Sequence, residues 1–181
     1  LFLTWEWLYY WATHHLEDGQ LRLLLASDEH ECLVGIAPLY LRRTRAEGLI
    51  SVGGVRWLGS EAVCSSYLDF IVQERHKPAL LQRLYRYLFN EARGEWDMLT
   101  LSDVPAESST LDLWNELFAE AGKVGEVVRM TSCPVVRLPR DVGSYRAGLG
   151  RNRRYTLQRK TKCLAEAGRV HFTRATNPAD V

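Results

Sequence analysis

The densest chemistry lies in the thirteen residues Gly150–Lys162, GRNRRYTLQRKTK. They carry Arg151, Arg153, Arg154, Arg159, Lys160 and Lys162 and no acid. The whole chain has 23 basic and 22 acidic residues, so the remainder holds 17 basic against 22 acidic. Such a cluster meets phosphate, carboxylate or nucleic acid, or it forms a solvated helix face. Three arginines within four residues suit bidentate contact with oxyanions, because guanidinium presents a planar fork of donors. Tyr145, Leu149, Tyr155, Leu157 and Leu164 interrupt the charges and would let the segment dock on a body. A nucleic-acid surface would add several base-stacking aromatics, and only Tyr155 is at hand, so a nucleic-acid partner is disfavoured. The stretch is expected to grip a discrete phosphate through Arg151, Arg153 and Arg154.

A second candidate is Asp69, which breaks the apolar run Tyr67–Val72. A carboxylate in a central strand costs free energy unless it is paired or hydrogen-bonded. Asp69 therefore either anchors a loop or faces a site, with Tyr67 beside it. The third is the aromatic segment Trp5–Leu16. There Trp7 and Trp11 stand four residues apart, as core packing or as a wall of an acceptor pocket. His14, His15, His30, His76 and His171 show no metal-ligand spacing, so no metal is expected. Cys32, Cys64, Cys133 and Cys163 are scattered with no CxxC pair, which suits core or incidental thiols in a reducing cytoplasm. Neither a phosphate-binding glycine loop, a GxSxG elbow nor an HExxH motif is present.

The elements that must position these residues are legible in outline. Thr4 caps a helix over Trp5–Leu16, with Trp5, Leu8, Ala12 and Leu16 as one stripe. Leu21–Ser27 and Cys32–Arg42 read as a hairpin, and Pro38 marks an edge or bulge. Arg42, Arg43 and Arg45 read as a solvated strand end. Gly53-Gly54 signals a turn inside Ile50–Leu58. Tyr67–Val72 reads as a strong strand. Pro78 opens a helix that Gly94 closes, with Leu81, Leu84, Tyr85 and Leu88 facing inward. Trp96–Ser102 is a strand, and Ser109 with Asp112 opens a helix running to Gly122. Val124–Leu138 reads as a long extended strand. Val142–Ala167 is a helix broken near Gly148 and Gly150. Arg169–Arg174 reads as a further strand, and Asn177-Pro178 as a helix start. At 181 residues one domain is the default. No apolar run reaches the ~18 residues of a membrane span, and no signal peptide is evident. The start at Leu1 fits an excerpt of a longer protein.

This order of helix, hairpin, strand, helix, strand, helix and long strand resembles the GNAT acyltransferase core. That resemblance implies an α/β fold with a mixed, mostly antiparallel central sheet and helices on both faces. In the family a glycine-rich loop before a helix binds the coenzyme A pyrophosphate. The matching connection, Val72–Pro78, has no glycine, and Pro78 removes a donor. The segments Phe2–Trp7, Leu33–Tyr40, Cys64–Phe70 and Arg151–Tyr155 resemble, more closely, the first half of tandem-GNAT proteins. These are the CelD-like acetyltransferases of polysaccharide biosynthesis, relatives of the Fem-type aminoacyltransferases. Ser66 stands where the family pattern has an acid.

The resemblance implies a GNAT-like domain over 1–140 lacking the coenzyme A loop. It implies that 141–181 holds the basic helix and the start of a second half. The complete protein would move an acetyl group from acetyl-CoA, a co-substrate rather than a tightly bound cofactor, onto an amine or hydroxyl. The acceptor would be a small molecule or a sugar-linked or cell-envelope precursor. The second GNAT-like half of the same chain would be the partner, and the location cytoplasmic. Trp7, Trp11, Tyr67 and Asp69 would line the acceptor cleft, with Asp69 and Tyr67 as catalytic candidates. The rival expectations are an aminoacyl-tRNA-dependent or nucleic-acid-binding protein and a non-catalytic scaffold.

Overall fold

A computed structural model describes residues 1–46, 50–61, 63 and 65–173. The described elements are α1 (Trp5–His15), β1 (Gln20–Ser27), β2 (Leu33–Ala46), β3 (Ile50–Trp57) and β4 (Ile71–Val72). There follow a 3₁₀ turn (Glu74–His76), α2 (Lys77–Arg86), a π turn (Tyr87–Glu91), β5 (Met98–Thr100), α3 (Ser109–Glu120), α4 (Val142–Gly148) and α5 (Arg151–Ala167). The chain divides into two compact units, Leu1–Met130 and Thr131–Val181.

The first unit is a mixed α/β body around a five-stranded sheet in the order β1-β2-β3-β5, with β4 also on β2. All pairings are antiparallel except β3 with β5. Alternation along β2 sorts the two faces. Ala37, Leu39 and Leu41 join Leu80, Leu81 and Leu84 of α2 and Trp114 of α3 in the larger core. Tyr40 points the other way and packs with Leu8 and Trp11 of α1. Helices thus cover both faces of a mostly antiparallel sheet.

Local chemistry explains several ends. The Thr4 hydroxyl caps α1 by accepting from Trp7 N. Asp28 closes the β1–β2 hairpin, its carboxylate accepting from His30 N and Cys32 N, both at 2.9 Å.

Elsewhere the tertiary structure overrides local signals. Trp5, 72% exposed, drops out of the expected stripe, while Leu8, Ala12 and Leu16 of that stripe pack inward together with Trp11. Pro38 lies in a central strand, paired with Leu23, and the bulge is at Ala26/Ser27. It is tolerated because its own carbonyl accepts from Leu58 N. Its missing N–H therefore falls on the side where β4 leaves off and β3 begins.

Gly53-Gly54 is no turn, since β3 runs straight through both. Gly53 N donates to Asp97 Oδ2 at 2.7 Å, and Asp97 N returns a bond to Gly53 O at 2.8 Å. The glycines thus serve close approach within a strand. Tyr67–Val72 contributes only Ile71–Val72 to the sheet. Tyr67 has φ +59°, and the Asp69 carboxylate takes Phe70 N, so the backbone before β4 bonds outside a ladder. The cap of α3 is Ser108 rather than Ser109.

Val124–Leu138 forms no strand among the described residues. Val124, Met130, Val135 and Leu138 are each at least 75% exposed. Strand propensity without a neighbouring edge does not make a strand. Residues 169–173 are likewise not in a strand, and Arg174 and Asn177-Pro178 lie outside the described residues. Cys32, Cys133 and Cys163 are exposed, so they are not core thiols, and Cys64 lies outside the described residues.

Leu81 is fully buried between α2 and the sheet. Leu81→Ala is expected to cost about 2–5 kcal/mol, read as a lower denaturant midpoint at unchanged slope.

Candidate functional site

Asp69 sits at the junction of the loop before β4, the start of α2 and the start of α3. Its Oδ2 accepts Ser108 Oγ at 2.5 Å and Lys77 Nζ at 3.3 Å. Its Oδ1 accepts Thr110 Oγ1 at 2.6 Å and Phe70 N at 2.7 Å. Ser108 uses its hydroxyl twice, giving its proton to Asp69 and accepting from Thr110 N at 3.2 Å. The Lys77 ammonium, 5% exposed, also meets Glu74 at 2.8 Å. Glu74 in turn accepts from Ser109 Oγ at 2.9 Å. Burial pulls the Lys77 ammonium down, but Glu74 and Asp69 more than offset it and leave its pKa raised. The bond from Lys77, then that from Ser109, lowers the Glu74 carboxyl. With four donors on its two oxygens, Asp69 is placed to anchor rather than to exchange protons.

This network fills the start of α2, where a helix N-terminus would otherwise attract an external anion. Pro78 withdraws one donor there, and the Lys77 charge is met by the chain's own carboxylates.

The other aromatic candidates part company. Trp7 is half-buried, and its Nε1 donates to Ser65 Oγ at 3.0 Å while Phe2 packs edge-on to its ring. Trp11 is only 3% exposed and lies 5.2 Å from the Tyr40 ring, so it is core and not the wall of an open pocket. Tyr67 is 48% exposed in a left-handed conformation that bulky residues rarely adopt. Trp7 thus meets Ser65, two residues before Tyr67 in the same loop, and Asp69 further along that loop is largely buried.

A void of about 20 Å³ against the sheet, lined among others by Leu24, Leu39, Val55 and Trp96, has room for a water and not a substrate. Sequence reasoning missed a third cluster. Glu61 is met by Arg56, Arg42 and Tyr40, residues on two strands that only the register brings together.

In the second unit every residue of α5 is exposed, including Arg151, Arg153 and Arg154. Arg154 Nη1 donates to Ala147 O at 3.0 Å, tying α5 to α4. Gly150, Arg151, Asn152 and Arg153 line an open concavity of about 410 Å³. Leu157 and Leu164, expected to dock, are 37% and 53% exposed. Among the described residues no group of three or more His, Cys, Asp or Glu could hold a metal ion. No described helix is long and apolar enough to cross a membrane.

No family model and no curated protein matches the chain. Among solved structures, a mutant of the BH1408 protein of Bacillus halodurans is similar at 14% identity. The match covers 67% of this chain and 69% of that one with a TM-score of 0.40. A likeness of that size carries no argument about family or activity.

The anchoring role has measurable consequences. Asp69→Asn turns an amide N–H₂ toward donors and should cost about 1–3 kcal/mol, lowering Tm by several degrees. The pH dependence has two limbs. The Lys77 contribution is full below its ordinary 10.5 and is lost as pH rises through the raised value. The Glu74 contribution is present above its ordinary 4.5 and fades as pH falls through the lowered value. Lys77→Met should flatten the alkaline limb of Tm against pH, and an unaltered limb would count against the pairing.

Proposed function

We propose that this chain is the acceptor-side, N-terminal part of a GNAT-type acyltransferase. In the complete protein an acyl group, acetyl from acetyl-CoA by expectation, passes to an amine or hydroxyl of a sugar-linked or cell-envelope acceptor in the cytoplasm. The observation that supports this reading is spatial. Three of the four segments carrying the family resemblance meet in the first unit. Trp7, from Phe2–Trp7, bonds Ser65 of Cys64–Phe70. Tyr40, closing Leu33–Tyr40, lies in the core cluster against which Trp7 packs. A shared functional surface requires such convergence.

The chemistry divides accordingly. Trp7 and Tyr67 present aromatic surface and a phenol to an acceptor, while Asp69 holds the loop that carries Tyr67. The proton of the acceptor must pass to a base, and the developing oxyanion must meet donors. The full engagement of Asp69 argues against it as that base. Arg151 and Arg153 line one concavity of the second unit and, with the exposed Arg154, suit a phosphate group. The filled start of α2 supports reading donor binding as the task of the second half rather than of this unit. A non-catalytic scaffold is the second reading, favoured by the same saturation of Asp69.

Two measurements test this. Titration of the 181-residue chain with acetyl-CoA should give no binding tighter than about millimolar, whereas micromolar affinity, about −8 kcal/mol, would overturn the assignment of the donor. In the full-length protein, Trp7→Ala should lower kcat/KM for acyl transfer to an amino-sugar acceptor by about 10-fold or more at retained fold. Unchanged transfer would remove Trp7 from the site, and no transfer by the wild type to any amine or hydroxyl would favour the scaffold.

A further inference from the structure

The register of β2 with β3 builds a second polar site, independent of the acyltransferase reading. Tyr40 pairs with Arg56, and Arg42 pairs with Gly54. Residues two apart on a strand share a face, so all four stand together on the face that α1 covers. Each donor is fixed by the fold. Arg42 Nη2 donates to His15 O at 3.0 Å and Leu16 O at 3.3 Å, the last carbonyls of α1. Tyr40 is fully buried beneath Trp11. The Arg56 guanidinium lies over Gly54, where a Cβ would stand 3.3 Å from Arg56 Cζ. Glycine at that place makes the room.

What meets these donors is the chain's own Glu61. Its Oε1 lies 3.1 Å from Arg56 Nε. Its Oε2 accepts from Tyr40 Oη at 3.2 Å and stands 3.9 Å from Arg42 Nη1. The backbone at Glu61 has φ +68°, a conformation that glycine and not glutamate favours. Its side chain is 45% exposed, against 16% for Arg56 and 23% for Arg42. The carboxylate therefore enters from the solvent side onto a seat set deeper than itself.

We propose that Tyr40, Arg42 and Arg56 form an oxyanion-binding seat, suited to a phosphate group, which Glu61 fills in this structure. Two guanidinium charges exceed the one carboxylate between them, and a phosphate dianion matches them better. Glu17 balances the count of charges, but it lies 3.5 Å from Arg42 at the rim and is 75% exposed, so solvent screens it and it competes weakly for Arg42. Glu61 is more exposed than either arginine it meets, so it is the member of the cluster best placed to leave. Burial is the main cause that raises the Tyr40 phenol pKa, so the phenol stays a donor at neutral pH.

The test uses the 181-residue chain titrated with inorganic phosphate at constant ionic strength. Glu61→Gly relieves the backbone and empties the seat, and should bind phosphate at least about tenfold more tightly than the wild type. Arg56→Gln in the Glu61→Gly background should remove that gain, which separates the seat from the exposed arginines of α5. Acetate in place of phosphate should show a smaller gain, and a larger one would assign the seat to carboxylates. Should Glu61→Gly fail to fold, Glu61→Gln is read by the same criterion. Equal phosphate affinity with and without the Glu61 carboxylate, or a gain that survives Arg56→Gln, overturns the proposal.

Discussion

The carboxylate of Asp69 gathers donors from three chain segments: Lys77 at the start of α2, Ser108 and Thr110 at the start of α3, and its own loop at Phe70. Much of the first unit depends on this junction. A largely buried carboxylate is tolerable because every donor that reaches it is itself in need of an acceptor. Ser108 caps α3 only while its proton has somewhere to go. Lys77, almost completely buried, needs both Asp69 and Glu74. Removing one member leaves the others desolvated and unpaired, which costs far more than the mean worth of a hydrogen bond.

The same economy of polar groups appears on the opposite face of the sheet. Tyr40, Arg42 and Arg56 are brought side by side by a register that the Gly53-Gly54 step makes possible. One glycine lets Asp97 chelate the backbone of β3, and the other leaves space for a guanidinium. Both sites are closed by side chains from the chain itself, Glu74 at the start of α2 and Glu61 over the arginines. The first is saturated and structural. In the second the arginines are more buried than the carboxylates that meet them, Glu61 and Glu17, which is the difference between an anchor and a seat.

Charge divides the chain as sharply as compactness does. Leu1–Met130 holds 12 basic against 19 acidic residues, a sum of −7, and Thr131–Val181 holds 11 against 3, a sum of +8. In the first unit most cations have assigned carboxylates or carbonyls. In the second the arginines of α5 are all exposed, Arg151 and Arg153 at an open concavity and Arg154 partly committed to the end of α4. Unscreened positive charge on that scale attracts any anionic group within about a Debye length of ~10 Å.

The sequence by itself determined where most helices lie and several of their starts, because capping and 3.6-residue periodicity act within a few residues. Thr4, Pro78 and the α4–α5 break at Leu149-Gly150 follow directly from it. It also determined the fold class and that Asp69 must be satisfied by partners. It misplaced Pro38, Gly53-Gly54, the strand at Tyr67–Val72 and the strand at Val124–Leu138, all of which turn on what lies alongside. A strand exists only where an edge accepts it, a proline is harmless only where no neighbour needs its N–H, and a glycine pair is a turn or a cradle according to the side chains above it. Only the tertiary structure decided that Trp11 is core while Trp7 reaches Ser65. It alone decided that Glu61 lands on Tyr40, Arg42 and Arg56, since the pairing of β2 with β3 that brings these three together is set by sheet register and not by spacing along the chain.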